Sequence, residues 1–327
     1  MSSARPLPDR SRLTIGFAHV AYRLGDRFAL RDTGLEWLEL RDFDDLKARI
    51  ADVDVLLCSG LWRNELIPAA HRLAFIQSIS AGTEQYSRDA LRAAGIRLAS
   101  AQGVNERAVA EHAMALILAL ARQIPQARDN QAARKWRGMI GDIAQREEEL
   151  GGKTLLVVGL GRIGSRLAAL AKAFDMRVIA VRRDPAKGAG AADAVAGHDA
   201  LVGMLPCADF VALTCPLTRE TENLIDAQAL AAMSPSAYLV NVARGRVVNE
   251  PALLEALERQ RIAGAALDCF WDEPLPATSP LWSAANVLIT PHTAGETRRY
   301  EDNVIELLLE NLDRLWRGEA VLRNQIV

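Results

Sequence analysis

An α/β fold with two parallel sheets in two domains is the architecture this sequence predicts. Three observations lead to it. The chain has 327 residues, more than one hydrophobic core ordinarily serves. Short apolar runs of strand length alternate with amphipathic runs of helix length through most of it. One strand-like run passes directly into a glycine-spaced turn, Gly159-Leu160-Gly161-Arg162-Ile163-Gly164, which opens a helix.

In the first hundred residues the strand-like runs are Leu13–Val20, Val53–Cys58, Leu73–Ile79 and Ile96–Ala99. Amphipathic stretches at Asp44–Ile50, Glu65–Arg72 and Ser87–Ala94 separate them, the last stopped by Gly95. Continuous apolar strands in such an alternation imply parallel pairing buried on both faces. A long apolar helix, Ala108–Arg122, comes next, followed by a polar stretch from Gln123 to Glu149 with no strand pattern. A second series then supplies six strands: Thr154–Val158, Arg177–Val181, Phe210–Thr214, Tyr238–Val242, Ala263–Leu267 and Val287–Thr290. Helices fit at Arg162–Phe174, Asp226–Met233 and Pro251–Gln260, with Asn249 as cap and Pro251 in the first turn of the last. Gly188–Gly197, rich in Ala and Gly, reads as a surface loop, and Glu296–Trp316 as a closing helix that returns to the first domain. The expected organisation is a doubly wound Rossmann-type domain over 102–294, inserted into a smaller flavodoxin-like α/β domain made from 1–101 and 295–327.

Composition narrows the function. Half the residues are hydrophobic and the formal net charge is −2, so nothing favours a nucleic-acid or anionic membrane partner. Cys58, Cys207, Cys215 and Cys269 are scattered without a CxxC pair and read as thiols of a reducing compartment, with no metal site. Met1 to Arg10 lacks the pattern of a secretory signal and reads as a loose tail. The longest apolar run, Ala113–Ala121, is about half a bilayer span. A cytoplasmic location is the expectation.

Each glycine of the 159–164 turn has a physical use. The first permits a tight turn, the second lets the backbone approach a pyrophosphate, and the third lets helix and strand pack closely. Amides at the helix start then face the phosphates. The reader of the adenosine ribose is expected roughly 20 positions on, at the end of the next strand. There the chain reads Arg182-Arg183-Asp184. Two guanidiniums favour the 2′-phosphate of NADP, whereas reading by Asp184 would restore NAD.

Three further segments sit at the ends of late strands, the edge where such sheets bind ligands. They are Asn241-Val242-Ala243-Arg244-Gly245, Leu267-Asp268-Cys269-Phe270-Trp271-Asp272-Glu273-Pro274 and Thr290-Pro291-His292-Thr293-Ala294-Gly295. With the glycine turn and Pro216-Leu217-Thr218, they resemble the D-isomer-specific 2-hydroxyacid dehydrogenases, which include glyoxylate/hydroxypyruvate reductases and phosphoglycerate dehydrogenases. The resemblance runs from about Asp52 to Gly295 in the same order and spacing. It implies hydride transfer between a nicotinamide and a small 2-oxo or 2-hydroxy acid. Arg244 would hold the substrate carboxylate and polarise the carbonyl. His292 would give the developing alkoxide its proton, and Glu273 would hold the other ring nitrogen.

The same resemblance implies further contacts. Ala81 and Gly82 would meet the substrate carboxylate through their amides, with Thr83 near the nicotinamide. Cys215 and Pro216 would lie by the adenine ribose. Val242, Ala243, Asp268 and Gly295 would lie on the nicotinamide side. Trp136 either reaches a neighbouring subunit's active site, as in family dimers, or packs under its own arm. A homodimer is expected from the apolar helix and that arm. Two departures stand out: Arg182 replaces the usual acid, and Thr-Ala-Gly-Glu follows His292 where many relatives have a Ser/Gly or Gly-Gly pair. The chain's end at Val327 argues against the long, serine-regulated phosphoglycerate dehydrogenases. Two alternatives stay open: a formate dehydrogenase relative, which would carry Gln in place of Glu273, and a nicotinamide-sensing, corepressor-like binding protein.

Overall fold

In the computed structural model, which describes residues 4–284 and 286–327, the chain divides into two compact units: Met1–Asn105 with Thr297–Val327, and Glu106–Glu296. The first unit has five strands among its described residues: β1 (Thr14–Ala18), β2 (Glu36–Leu40), β3 (Val55–Cys58), β4 (Phe75–Ser78) and β5 (Arg97–Ala99). They form one parallel sheet in the order β2-β1-β3-β4-β5, the order of a flavodoxin-like doubly wound sheet. Helices α1 (Leu24–Ala29), α2 (Phe43–Arg49) and α3 (Arg88–Ala93) connect them. α2 begins where Asp42 accepts the Asp45 amide at 2.8 Å, satisfying a donor the helix itself leaves open.

Three expectations for this unit are corrected. Strand β2 had no counterpart among the expected strands. It is an edge strand whose charged Glu36 and Glu39 leave no continuous apolar run. Where a helix was expected over 65–72, only a 3₁₀ turn forms at Asn64–Leu66, because Pro68 lacks an amide to donate within a helix. The tail is not loose from Arg5 onward: its amide donates to Gly95 O at 2.9 Å and its guanidinium to Leu73 O at 2.9 Å. Residues 1–3 of that expected tail lie outside the described residues.

The second unit opens with α4 (Glu106–Ala121) and α5 (Ile124–Ala132). α5 lies in the polar stretch and buries none of its residues, so it has no apolar stripe for a sequence pattern to reveal. Seven strands follow among the described residues: β6 (Thr154–Val158), β7 (Arg177–Val181), β8 (Ala194–Ala196), β9 (Phe210–Leu213), β10 (Tyr238–Asn241), β11 (Gly264–Leu267) and β12 (Val287–Ile289). β8, expected as loop, is a three-residue edge strand paired with β7; Ala194-Val195-Ala196 is too short to show a strand period. Between the strands lie α6 (Arg162–Lys172), α7 (Leu201–Met204), α8 (Ala227–Ala232) and α9 (Glu250–Glu258). As expected, Asn249 caps α9, accepting the Ala252 amide at 3.0 Å.

The sheet order is β12-β11-β10-β9-β6-β7-β8, all parallel. α4 and α6 cover one face through Ala113, Ile117, Leu167 and Ala171, while α8 and α9 cover the other through Leu230, Leu253 and Leu257. Two consequences position the site. Every strand's carboxyl end lies at the same edge, and the strand order reverses between β9 and β6, opening a crevice there. No helix among the described residues is long and apolar enough to cross a membrane.

The closing helix α10 (Tyr300–Trp316) belongs to the first unit. Its Val304, Ile305, Leu308 and Leu312 pack with Leu13, Ile15 and Phe17, and its Tyr300 hydroxyl donates to the Ile79 carbonyl. Asp302 accepts from Arg27 of α1 at 3.2 Å, and that hydrogen bond, with the charge behind it, holds the carboxyl below its usual range.

Candidate active site

The crevice is built first from backbone. β6 is buried throughout and ends at Gly159, whose φ of +101° is a left-handed conformation that disfavours any side chain. A Cβ at Gly159 would lie 2.6 Å from Cys215 N, and one at Gly164 would meet Gly159 O and come within 2.7 Å of Thr214 Oγ1. A Cβ at Gly161, by contrast, meets nothing within 4 Å. The outer two glycines therefore serve close packing, while the middle one leaves open space in front of the backbone. No side chain caps α6, whose N-cap is Gly161, so the first-turn amides around Arg162 and Ile163 are left facing an anion site. An open cradle at Gly161 before an uncapped helix start fits a dinucleotide diphosphate.

At the end of β7, Arg182 Nη1 donates to Gly188 O at 3.0 Å, which leaves the rest of its guanidinium available. Arg183 is exposed. Asp184 accepts the Ala186 amide at 3.2 Å, capping the short Pro185–Lys187 turn. After β9, Cys215 is buried, and that burial pushes its thiol up to about 11, which makes it packing against Gly159 rather than a nucleophile. The neighbouring Pro216 carbonyl accepts the Thr221 hydroxyl at 2.7 Å. Glu220 is held below the usual carboxylate range, first by the Thr218 hydroxyl and, with less weight, by Arg183 and Arg219.

After β10 the chain turns through Val242 and Ala243, both buried. Asn241, itself 1% exposed, shapes this turn: its Nδ2 donates to Arg244 O and its Oδ1 accepts the Ala243 amide, each at 3.0 Å. Arg244 is half-buried and donates Nη1 to Ala243 O at 2.7 Å. After β11, Glu273 Oε1 accepts the Phe270 amide at 3.0 Å, and Oε2 lies 2.7 Å from His292 Nδ1. The His292 side chain is 44% exposed, and its Nε2 has no partner among the described residues. Its ring is therefore held at one nitrogen and open at the other. Cys269 lies among the charges of this edge. Burial raises its thiol strongly, Glu273 and Asp268 raise it further, and Arg244 opposes them.

The structure thus brings Arg244, Glu273 and His292 to one sheet edge with the glycine turn. Asp268, expected beside the cofactor, is 1% exposed, and its oxygens accept the Thr290 hydroxyl at 2.6 Å and the Thr293 and Ala294 amides at 3.0 and 3.1 Å. Gly295 follows in the same turn. Ala81, Gly82 and Thr83 belong to the first unit, in the turn after β4, with Thr83 buried and Ala81 exposed. Trp136 is 97% exposed and does not pack under its arm. Two participants had no assigned role from sequence: Asn241, signalled by an amide closing an apolar strand, and His112, which has a partner in Thr290. Nothing local to His112 on its apolar helix betrays that contact. No cluster of three or more His, Cys, Asp or Glu among the described residues is placed to hold a metal ion.

A reversed parallel sheet with an uncapped glycine turn and a carboxylate-held imidazole at its carboxyl edge is the frame of a nicotinamide-dependent oxidoreductase. The chain belongs to the D-isomer specific 2-hydroxyacid dehydrogenase family, whose NAD binding domain it matches over residues 114–294. It is 35% identical to the glyoxylate reductase of Pyrococcus furiosus over 292 residues, covering 86% of each chain. It is also 35% identical to the D-3-phosphoglycerate dehydrogenase of Mycobacterium bovis over 91% of its own length, but spans only 55% of that relative. Among solved structures, the NADPH-dependent glyoxylate/hydroxypyruvate reductase of Sinorhizobium meliloti, in complex with NADP and malonate, is similar with a TM-score of 0.80 and 28% identity, covering 97% of each chain. The enzyme class of this family is NAD(P)-dependent dehydrogenation of D-2-hydroxy acids.

Proposed function

We propose that the protein reduces a small 2-oxo acid of the glyoxylate or hydroxypyruvate kind to its D-2-hydroxy acid, with NADPH as the preferred cofactor. The observation that carries this reading is the Glu273–His292 pair at 2.7 Å. An imidazole oriented at Nδ1 and open at Nε2 is arranged to pass a proton to a substrate oxygen. His292 protonates that oxygen as it takes on alkoxide character, and removes the same proton in the oxidative direction. Glu273, itself fixed by the Phe270 amide, keeps the ring in register. Arg244 offers the substrate carboxylate a planar, permanently charged fork, which also draws electron density from the adjoining carbonyl. The nicotinamide, when bound, supplies or accepts the hydride. Gly161 and the first-turn amides of Arg162 and Ile163 hold its diphosphate, in a turn that the close-packed Gly159 and Gly164 make possible. Cys215 and Pro216 flank the adenosine, and Val242, Ala243 and Gly295 line the nicotinamide side.

Preference for NADPH rests on the end of β7. Asp184 is engaged as a turn cap, while Arg182 and Arg183 offer cationic donors for a 2′-phosphate. The NADPH dependence of the similar Sinorhizobium reductase supports this reading. A charge-assisted hydrogen bond contributes about 1.5–3 kcal/mol, so kcat/KM is expected to favour NADPH over NADH by roughly 10- to 100-fold. Initial rates at the reduced-nicotinamide band, with glyoxylate and hydroxypyruvate, measure the ratio. Arg182→Ala combined with Arg183→Ala should bring it close to unity. Preference for NADH in the unaltered protein would end the cofactor assignment, and silence with every pair despite cofactor binding would favour the sensing module.

Homodimerisation belongs to the same proposal. Trp136, Met139 and Ile143 on the arm after α5 are 97%, 102% and 78% exposed, an apolar surface a second copy would cover. Light scattering at micromolar concentration should return twice the chain mass, and a monomer mass would refute the dimer.

A further inference from the structure

Behind the turn that carries His292 runs a chain of hydrogen bonds with no place in the chemistry above. His112, on α4, lies with Nε2 3.0 Å from Thr290 Oγ1. Thr290 Oγ1 lies 2.6 Å from Asp268 Oδ1, which also accepts the Thr293 amide at 3.0 Å, and Asp268 Oδ2 accepts the Ala294 amide at 3.1 Å. A carboxylate only accepts and a hydroxyl has one proton to give. Thr290 therefore spends its proton on Asp268 and accepts a second one from His112 Nε2. The direction of the chain follows: His112 to Thr290 to Asp268, with the amides of 293 and 294 converging on the same carboxylate.

The object held by this chain is the His292 backbone. Its φ of 55° is left-handed, a conformation disfavoured for a residue with a Cβ, and its amide reaches back to Thr290 O at 3.0 Å. Asp268 fixes the turn on its far side and Thr290 on its near side. Asp268 is 1% exposed and follows directly on β11. His112, 23% exposed at its side chain, stands on a helix that is packed along its length against α6 and the sheet. The chain thus ties a conformationally costly turn to two rigid elements, and His112 is its outer anchor.

We infer that His112 is a positioning residue for the reaction, acting through Thr290 and Asp268 on the aim of the His292 ring. The inference rests on the reading of His292 as the proton donor. His112 touches neither substrate nor cofactor in this role. Loosening the turn leaves the Glu273–His292 pair chemically intact but spreads the directions in which Nε2 points, and a misplacement of about 1 Å in a reacting group costs on the order of 100-fold in rate.

The test uses the full chain with His112→Leu, His112→Gln and Thr290→Val. His112→Leu should lower kcat by roughly 10- to 100-fold, with KM for the 2-oxo acid and the NADPH dissociation constant (read by tryptophan quenching) nearly unchanged. Amide hydrogen exchange over 290–295, measured without substrate or cofactor, should rise in the same variant. His112→Gln, whose amide nitrogen can stand in for Nε2, should recover most of both. Thr290→Val should reproduce the leucine variant, and the double variant should be no worse than Thr290→Val alone. If His112→Leu fails to fold, the glutamine rescue is lost but Thr290→Val against His292→Ala still decides the matter. Unchanged kcat and exchange in His112→Leu or Thr290→Val, or additive losses in the double variant, would overturn this inference while leaving turnover dependent on His292. Full kcat in His292→Ala would overturn both readings.

Discussion

Replacing His292 with alanine is expected to lower kcat for glyoxylate or hydroxypyruvate reduction by roughly 10²- to 10⁴-fold, the range one positioned acid–base group contributes. Cofactor affinity should stay near its original value, because the ring's ordered contact is with Glu273, 2.7 Å away, and the diphosphate cradle is formed by a different loop. Stopped-flow mixing of the preformed cofactor complex with substrate separates these two quantities. Glu273→Gln should be milder. An amide can still accept at one atom and donate at the other, so the Phe270 amide keeps a partner while the grip on the imidazole weakens. If the alanine variant retained full kcat, the proton would have to come from solvent, and the assignment of His292 would fail.

The second large effect is expected at Arg244. Removal of its guanidinium, as in Arg244→Gln, deletes a bidentate contact to the substrate carboxylate in which each charge-assisted hydrogen bond is worth about 1.5–3 kcal/mol. Two such bonds correspond to roughly 10²- to 10⁴-fold in kcat/KM, most of it in KM where substrate and transition state are held alike. Arg244→Lys should recover little, because an ammonium cannot present two parallel donors. The backbone should tolerate both changes, since Asn241 holds the Arg244 carbonyl and the Ala243 amide independently of the side chain. A substrate saturation curve that does not move in Arg244→Gln would show that the carboxylate is bound elsewhere.

What the sequence disclosed and what it withheld divide along physical lines. The glycine turn was legible because its residues and their spacing form a local pattern directly after a strand, and the positive φ at Gly159 and the close approaches at Gly159 and Gly164 require glycine there. Central strands such as β3 and β6 were legible from continuous apolar runs, every residue of both being buried. Of the four edge strands, β5 and β12 carry short apolar runs and were legible, while β2 and β8 were not. β2 mixes charged and apolar residues and β8 has only three residues within an Ala- and Gly-rich stretch, since an edge has one neighbour and less to bury. The tail from Arg5 looked loose because its anchors are carbonyls of Ala70, Leu73 and Gly95, and carbonyls have no sequence signature. His112 carries no local signal for a related reason: its partner Thr290 follows 178 positions later, and neither residue announces the other.

The membership of α10 in the first unit also governs the order in which the chain can fold as it is made. All residues of the second unit, Glu106–Glu296, precede Thr297, so its sheet can close while the last segment is still being synthesised. The first unit cannot. Its Leu13, Ile15 and Phe17 wait for Val304, Ile305 and Leu308, and β5 is completed only when Leu98 exchanges hydrogen bonds with Ile326 and Val327. Until then a sheet begun first stays uncovered on one face, the kind of exposed apolar surface on which chaperones act. The earliest-made strands are thus among the last to be buried.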